Sequence, residues 1–509
     1  MRLRERPTPV LLGVGAVTVV LVGAAAALSR DDPADAFILG ALAVAAAVAV
    51  LLLPRVEPAY PITAGIVLSV FSGNWGAMGI PIGLDRPILL YGVAAVGVRL
   101  LPDAPNRLRL RVTWVHWLLA GVAIYAIGSA LFAATLTERE PFYGMLDRLA
   151  INGFLLFLVA PAAFATRESR DVLLKGLIAL GAYLGVIAIF EASGLTGLIV
   201  PPYIANPSYG IHFGRARGPF VEAGADGLAM YVCLVAAAVG LARWRGAARL
   251  ACAVVVALCA VGVVLTITRQ VWLGAGVATV VTLLVAPQLR RFVVPVVVLG
   301  VITVLGVFAA FPGLQEKADD RANARLPVLD RLNSDRAALA MIDRKPLLGF
   351  GWYRFGADSA PFYRQASSYQ LTTPVSRPHN VFLANAAELG LLGGTLWLIA
   401  LLAAIGGAVV GRAPPELEPW RIGMIAVAVN WVVIANFTPL GQTFGNVVLW
   451  LWAGVVWARH PAVTGVRVRV GAPAPVRASP VAAVAAGWAV WTHRELPPGP
   501  APDDARLTS

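Results

Sequence analysis

Charge is scarce in this sequence. Only 14% of the 509 residues are Asp, Glu, Lys or Arg, against 58% hydrophobic and a mean hydropathy of +0.75. A soluble globule cannot be surfaced with so little charge, so the composition excludes one and implies a membrane protein crossed many times by helices. Cysteine is nearly absent as well. Cys233, Cys252 and Cys259 all fall in apolar runs, which excludes a disulfide framework and a Cys/His metal centre and leaves three small hydrophobes. No phosphate-cradling glycine loop and no pair of metal-spaced carboxylates is present, so neither a metal nor another cofactor is expected. The net charge of +13 does not point to nucleic acid, because the arginines are dispersed among short connections rather than gathered in a patch.

What is there is a series of apolar runs. The first, Pro9 to Leu28, is long enough to span a bilayer; Ala24 to Ala27 imitates a cleavage site, but the run reads as an anchor. Others follow at 36–53, 59–72, 87–101, 112–134, 149–165, 173–192, 223–242, 250–267, 269–286, 292–311, 381–409, 421–437 and 445–459. The sequence therefore predicts an all-α polytopic protein with about fourteen spans (roughly 12–14). Residues 1–311 hold the first eleven, 312–380 form a large polar loop with short helices, 381–460 hold the last three, and 461–509 form a Pro/Ala/Arg-rich tail read as mostly disordered. Basic residues collect in alternate connections: Arg107, Arg109 and Arg111; Arg167, Arg170 and Lys175; Arg243, Arg245 and Arg249; Arg290 and Arg291; Arg412 and Arg421. The positive-inside rule places these and both termini in the cytoplasm, and so puts the large loop outside a cytoplasmic membrane.

The large loop is the organising feature, since a connection of that length is usually functional. Within it a short surface helix is expected, capped near Asn333 or Ser334 and stopped before Pro346. The predicted outer face carries Arg215 and Arg217, then Arg269 in a tight turn, then Arg331, Arg336, Arg344 and Arg377. Arginine forks bind phosphate oxygens bidentately and stay charged, so Arg217, Arg269 and Arg331 with Arg215 read as a diphosphate clamp. A snorkelling Arg269, or one paired to Glu222 or Asp226, is the plainer alternative. His379 follows Pro378 at a helix start, where the positive end keeps the ring neutral and able to accept a proton. Glu388 lies on the opposite side of that helix and needs its own partner. Gly390, Gly393 and Gly394 read as helix packing. Glu222 and Asp226 read as structural, and His116 and Asn430 as mid-span hydrogen-bonding residues.

Four stretches, in order, resemble the O-antigen ligase and polymerase family of bacterial membrane glycosyltransferases. Gly218-Pro219-Phe220 resembles the family's Gly-Thr-Phe. Thr266-Ile267-Thr268-Arg269-Gln270-Val271-Trp272 resembles its Thr-x-Ser-Arg-Gly-x-Trp turn. Arg331 with Pro346-Leu347-Leu348-Gly349-Phe350-Gly351 resembles its Arg and Pro-Leu-x-Gly-x-Gly, and His379-Asn380-Val381-Phe382-Leu383 with Glu388 and Gly390 resembles its His-Asn ending. Glu222-Ala223-Gly224 departs from the family's Asn-Pro-Asn, and no Trp stands near Asp335. The resemblance implies a GT-C-like fold and a polyprenyl-diphosphate-linked glycan donor. It also implies transfer to a glycan or lipid acceptor on the outer leaflet without a metal, with His379 as base, the arginines on the diphosphate, and Glu388, Asn380 and Glu222 in support. A lipid-linked glycan transporter or flippase, using His116 and Asn430, is the competing expectation, and a non-enzymatic envelope partner a third.

Overall fold

The computed structural model describes residues 52–80, 83–102, 104, 107–110, 112–311, 313–323, 326–363 and 378–458. Contacts divide the chain into Met1–Val466 and Arg467–Ser509; the second unit, the first two expected spans up to residue 51, and Arg377 lie outside the described residues.

The described residues are helical, with no strand among them. In order they form α1 (Ala59–Leu68), α2 (Asp85–Arg99), α3 (Trp114–Phe132), α4 (Arg139–Asp147), α5 (Ile151–Ala163), α6 (Arg167–Ser193), α7 (Ala223–Arg243), α8 (Ala247–Leu265), α9 (Arg269–Val285) and α10 (Val293–Ala310). The remainder are α11 (Gly313–Asn323), α12 (Leu326–Arg344), α13 (Val381–Leu401, prolonged through a π turn to Val409), α14 (Glu418–Ala435) and α15 (Thr443–Trp457). Eight segments are long and apolar enough to cross a membrane, and Ala59–Phe71, Arg269–Val285 and Thr443–Trp457 are shorter apolar helices. This is a multi-pass membrane protein. The run expected at 87–101 is the 15-residue α2, which carries Asp85, Arg86 and Arg99 and is not among those apolar helices.

The sequence is apolar on every side of α15, and all 15 of its residues are buried, as a helix at the centre of a bundle requires. Small residues let it approach α5: a Cβ on Gly153 would sit 2.5 Å from Trp450, and Phe154 meets the same indole edge-on with centroids 4.8 Å apart. At the periphery, α10 turns Val294, Leu299, Val301, Ile302 and Leu305 outward, the surface that lipid tails solvate. The three cysteines are buried and unpaired.

Connections alternate between two ends of the bundle. One end gathers arginines, several of them tied to a carboxylate or to a helix-terminal carbonyl. Arg99 pairs with Glu57 (2.7 Å), Arg170 with Glu416 (3.1 Å) and Arg243 with Asp171 (2.7 Å); Arg170 also donates to the Ala165 carbonyl at 2.8 Å, and Arg421 to that of Val409 at 2.9 Å. The other end carries the four family-like stretches. There α12 is longer than the expected surface helix; it stops before Pro346 as expected and exposes Leu332, Arg336 and Leu339 along one face while the other is buried. It starts at Leu326, takes Asn333 and Ser334 into its interior, and packs Ala337, Ala338 and Met341 against Ala387 of α13. The cap expected near Asn333 is overridden because tertiary burial outweighs a local propensity.

Candidate functional site

The site is built on a broken helix. Asn380 caps α13, its Oδ1 accepting from the backbone N–H of Phe382 (3.0 Å) and Leu383 (3.1 Å). Pro378 and His379 therefore precede the helix rather than occupying its first turn. Asn380 Nδ2 donates to Asn436 Oδ1 at 3.2 Å, tying the site to the 436–442 connection between α14 and α15.

Three turns into α13 the helix breaks at Gly390, whose φ of 72° and ψ of 176° only glycine adopts readily. The freed backbone groups are taken up by Pro346–Gly351. Phe350 N donates to Ala387 O (3.0 Å), Gly351 N to Glu388 O (2.8 Å), and Leu391 N to Pro346 O (2.7 Å). A Cβ on Gly349 would lie 2.5 Å from the Glu388 carbonyl oxygen, and one on Gly390 would overlap the Leu347 carbonyl. This geometry corrects the expectation that Gly390 serves helix packing; Gly393 does serve it, against Tyr125.

Glu388, just before the break, has the partner its burial demands. Arg148 forms an ion pair with it, both side chains 1% exposed, and the Arg148 guanidinium lies 4.3 Å over the Trp352 ring. Arg148 carried no signal in the sequence, because only the fold brings it within reach of Glu388.

His379 is half-buried, and its Nδ1 has no hydrogen-bond partner among the described residues. Burial, then the positive Arg331, lower its pKa to about 4 against the opposing effect of Asp330. The charges of Arg331 and Asp330, on α12, are therefore felt at the imidazole. Burial likewise raises the neighbouring Asp335 carboxyl, with Arg331 opposing.

Arg269 opens α9, exposed, with no hydrogen-bond or ion-pair partner among the described residues. Its position relative to His379 follows from packing. Gly274 lies against Asn430 and Ile434, a Cβ there falling 2.5 Å from Asn430 Oδ1. Moving about 7.5 Å along α9 from Gly274 reaches Arg269, and about 9 Å along the facing α14 from Asn430 reaches Asn436. Arg269 and the Asn436–Asn380 bridge beside His379 therefore stand at one level on adjacent helices.

Glu222, at the N-cap position of α7, accepts from Gln442 Nε2 at 3.1 Å. Burial raises its pKa, with that hydrogen bond opposing. It lines a hollow of about 270 Å³ with Thr438, Gly441 and Gln442. A second, more open hollow of about 370 Å³ shares Gly441 and lies among α4, Arg148 and Tyr353. The 436–442 connection thus touches His379's neighbour, Glu222 and both hollows.

Arg217 is not part of this assembly. It is 1% exposed, with Nη1 bonded to the Tyr209 carbonyl (2.6 Å) and Nη2 to those of Ile204 (2.8 Å) and Asn206 (2.7 Å). Three of its five N–H groups are spent on holding its own loop and the side chain is buried there, which sets it apart from the expected clamp. Its backbone N–H is held by Glu191 (3.1 Å), not by Glu222 or Asp226. Arg215 is half-buried on the same loop, next to Gly214, whose carbonyl accepts from Lys317 of α11 at 2.9 Å. Two further expectations change. His116 lies not mid-span but in the first turn of α3, its Nδ1 accepting from Thr113 N at 3.0 Å in a capping box, and this removes one of the two residues behind the transporter reading. Asn430 is fully buried against Gly274, and neither its Oδ1 nor its Nδ2 has a hydrogen-bond partner among the described residues, so the expected hydrogen bond is not made there.

Among the described residues no group of His, Cys, Asp and Glu could hold a metal ion. The fold and the polar end together define an all-helical membrane protein with a built site at one face. Residues 254–398 match the family model described as O-antigen ligase, so the chain carries an O-antigen ligase domain reaching from α8 to α13, with Arg269, Arg331, Pro346–Gly351 and His379 inside it. No curated protein matches the chain.

Proposed function

We propose that this protein is a GT-C-like membrane glycosyltransferase of about fourteen spans. It moves a glycan from a polyprenyl-diphosphate carrier to an acceptor hydroxyl at the outer face of the cytoplasmic membrane, with the arginine-rich end in the cytoplasm. The observation that carries this is a half-buried His379 at the Asn380-capped start of α13, with Arg269 level beside it and the charge of Arg331 felt at its ring, inside the residues that match the O-antigen ligase model.

Diphosphate is already a good leaving group, so the protein must neutralise developing charge, take a proton and hold the reactants in line. Arg269 and Arg331, with Arg215 from the neighbouring loop, bind the diphosphate oxygens. The acceptor oxygen attacks the anomeric carbon, the bond from that carbon to the phosphate oxygen breaks, and the electron pair leaves with the diphosphate. The acceptor proton passes to His379 and then to solvent. His379 without substrate is a weak base because it is buried, and the positive charge of Arg331 lowers its basicity further. An arriving diphosphate offsets that positive charge, so basicity rises when the donor is in place. Asn380 and Glu388 fix the helix end that carries His379, and Glu222 fixes the 436–442 connection through Gln442.

The test is donor consumption in proteoliposomes loaded with lipid-linked glycan extracted from the source cells. Arg269→Ala and His379→Ala are expected to abolish transfer in folded protein, and full activity in both variants overturns the reading.

A further inference from the structure

We propose that the open hollow between α4 and Tyr353 is a glycan subsite that holds an uncharged sugar residue remote from the bond being transferred. This rests on the reading above that the substrate is a glycan.

The hollow, about 370 Å³, lies at the small end of ligand pockets and is lined by Arg139, Glu140, Tyr143, Asp147, Arg148 and Tyr353. Its charges alternate and mostly cancel. Asp147 is paired with Arg86 at 2.5 Å and Arg148 with Glu388. An anion entering here meets Asp147 and Glu140, and a cation meets Arg139 and Arg148. A sugar hydroxyl suits both signs, since it donates to a carboxylate while accepting from a guanidinium.

Consecutive lining residues carry both signs. Asp147 is 7% exposed and Arg148 3%, and Asp147 Oδ1, an acceptor, and Arg148 Nε, a donor, have no hydrogen-bond partner among the described residues. Arg139 is exposed on the rim without a partner of its own among the described residues.

Backbone strain marks the same place. Tyr353 is held at a φ of 67°, which a side chain this large rarely adopts. Its ring crosses Gly144, where an added Cβ would come within 2.8 Å, and its hydroxyl donates to Glu140 Oε2 at 3.2 Å. Tyr353 and Tyr143 both line the hollow and give it the apolar surface that the C–H face of a sugar packs on. Gly441 forms part of this hollow and of the one beside Glu222, and Asn436 of the same connection bonds Asn380. The subsite therefore lies one connection away from His379, suited to a residue further along the glycan.

The test uses the full-length protein in nanodiscs against an array of neutral and uronic-acid tri- to hexasaccharides, with inorganic diphosphate as a control ligand. Wild type is expected to bind a neutral oligosaccharide, and Arg139→Ala and Glu140→Gln, both at the rim, to weaken that binding at least ten-fold while leaving diphosphate binding unchanged. No neutral oligosaccharide bound by wild type, unchanged binding in both variants, or preference for acidic sugars overturns the proposal. His379→Ala should keep oligosaccharide binding while losing transfer. Transfer that survives His379→Ala defeats the catalytic reading and leaves the subsite measurement standing. In transfer kinetics the rim variants should raise KM for only one substrate, which tells whether donor or acceptor glycan threads the hollow.

Discussion

Arg148 and Glu388, 240 positions apart in sequence, meet as an ion pair in which each side chain is 1% exposed. The pair joins the α4–α5 turn to α13 just before its break. Removing one partner strands the other charge, so Arg148→Met and Glu388→Gln should each lower stability by about 3–5 kcal/mol. The double replacement Arg148→Met with Glu388→Leu should recover part of that loss. Denaturant unfolding in detergent compares the three variants.

Gly390→Ala and Gly349→Ala test the seam between α13 and Pro346–Gly351. Each adds a Cβ against backbone and forces a positive φ on a non-glycine residue. The expected cost is roughly 1–3 kcal/mol from the backbone alone, with the steric overlap adding to it. A lowered unfolding midpoint, with faster proteolytic cleavage in 346–351, is the expected result; wild-type behaviour would show that the seam can open without penalty.

Arg217 and Arg269 should fail in opposite ways. Arg217→Ala empties a cage of three carbonyls and should reduce folded yield. Arg269→Ala, at an exposed position, should change stability by no more than about 0.5 kcal/mol while transfer falls about 100-fold or more, the scale of losing a charge-stabilising donor. Thermal melting alongside transfer assays separates the two.

The pH profile carries a signature of His379. Its folded pKa, about 4, is below the ordinary value of 6.5, so between the two the unfolded chain binds a proton that the folded chain refuses. Stability from this group is complete above about 6.5 and is lost as pH falls towards 4. Glu222, raised by burial, acts oppositely: its contribution is present at acid pH and fades as pH rises above the usual carboxylate range. The acid limb of kcat/KM, which reports the free enzyme, should fall near 4, and that of kcat should lie higher because diphosphate is then bound. His379→Gln should remove the histidine's part of the stability slope.

Much of the membrane layout was legible in the sequence, because helical runs of apolar residues announce themselves. The expected 173–192, 223–242 and 292–311 fall within α6, α7 and α10 or within two residues of them. The order of the motif residues was legible too, whereas their partners were not. Arg217 and Arg269 look alike as letters, yet one faces carbonyls of its own loop and the other is exposed. Gly390 could be read as packing since nothing local tells a glycine that admits a neighbouring helix from one that ends its own. Arg148 and Tyr353 were missed because each acquires meaning from residues far away in sequence.

The interruption at Gly390 also makes one connection serve two lengths of helix. Pro346–Gly351 bonds the stretch before the break through Ala387 and Glu388 and the stretch after it through Leu391 and Leu392. The segment bearing His379 and the apolar length that follows are thereby registered to the same strip of backbone, and a displacement of one is passed to the other.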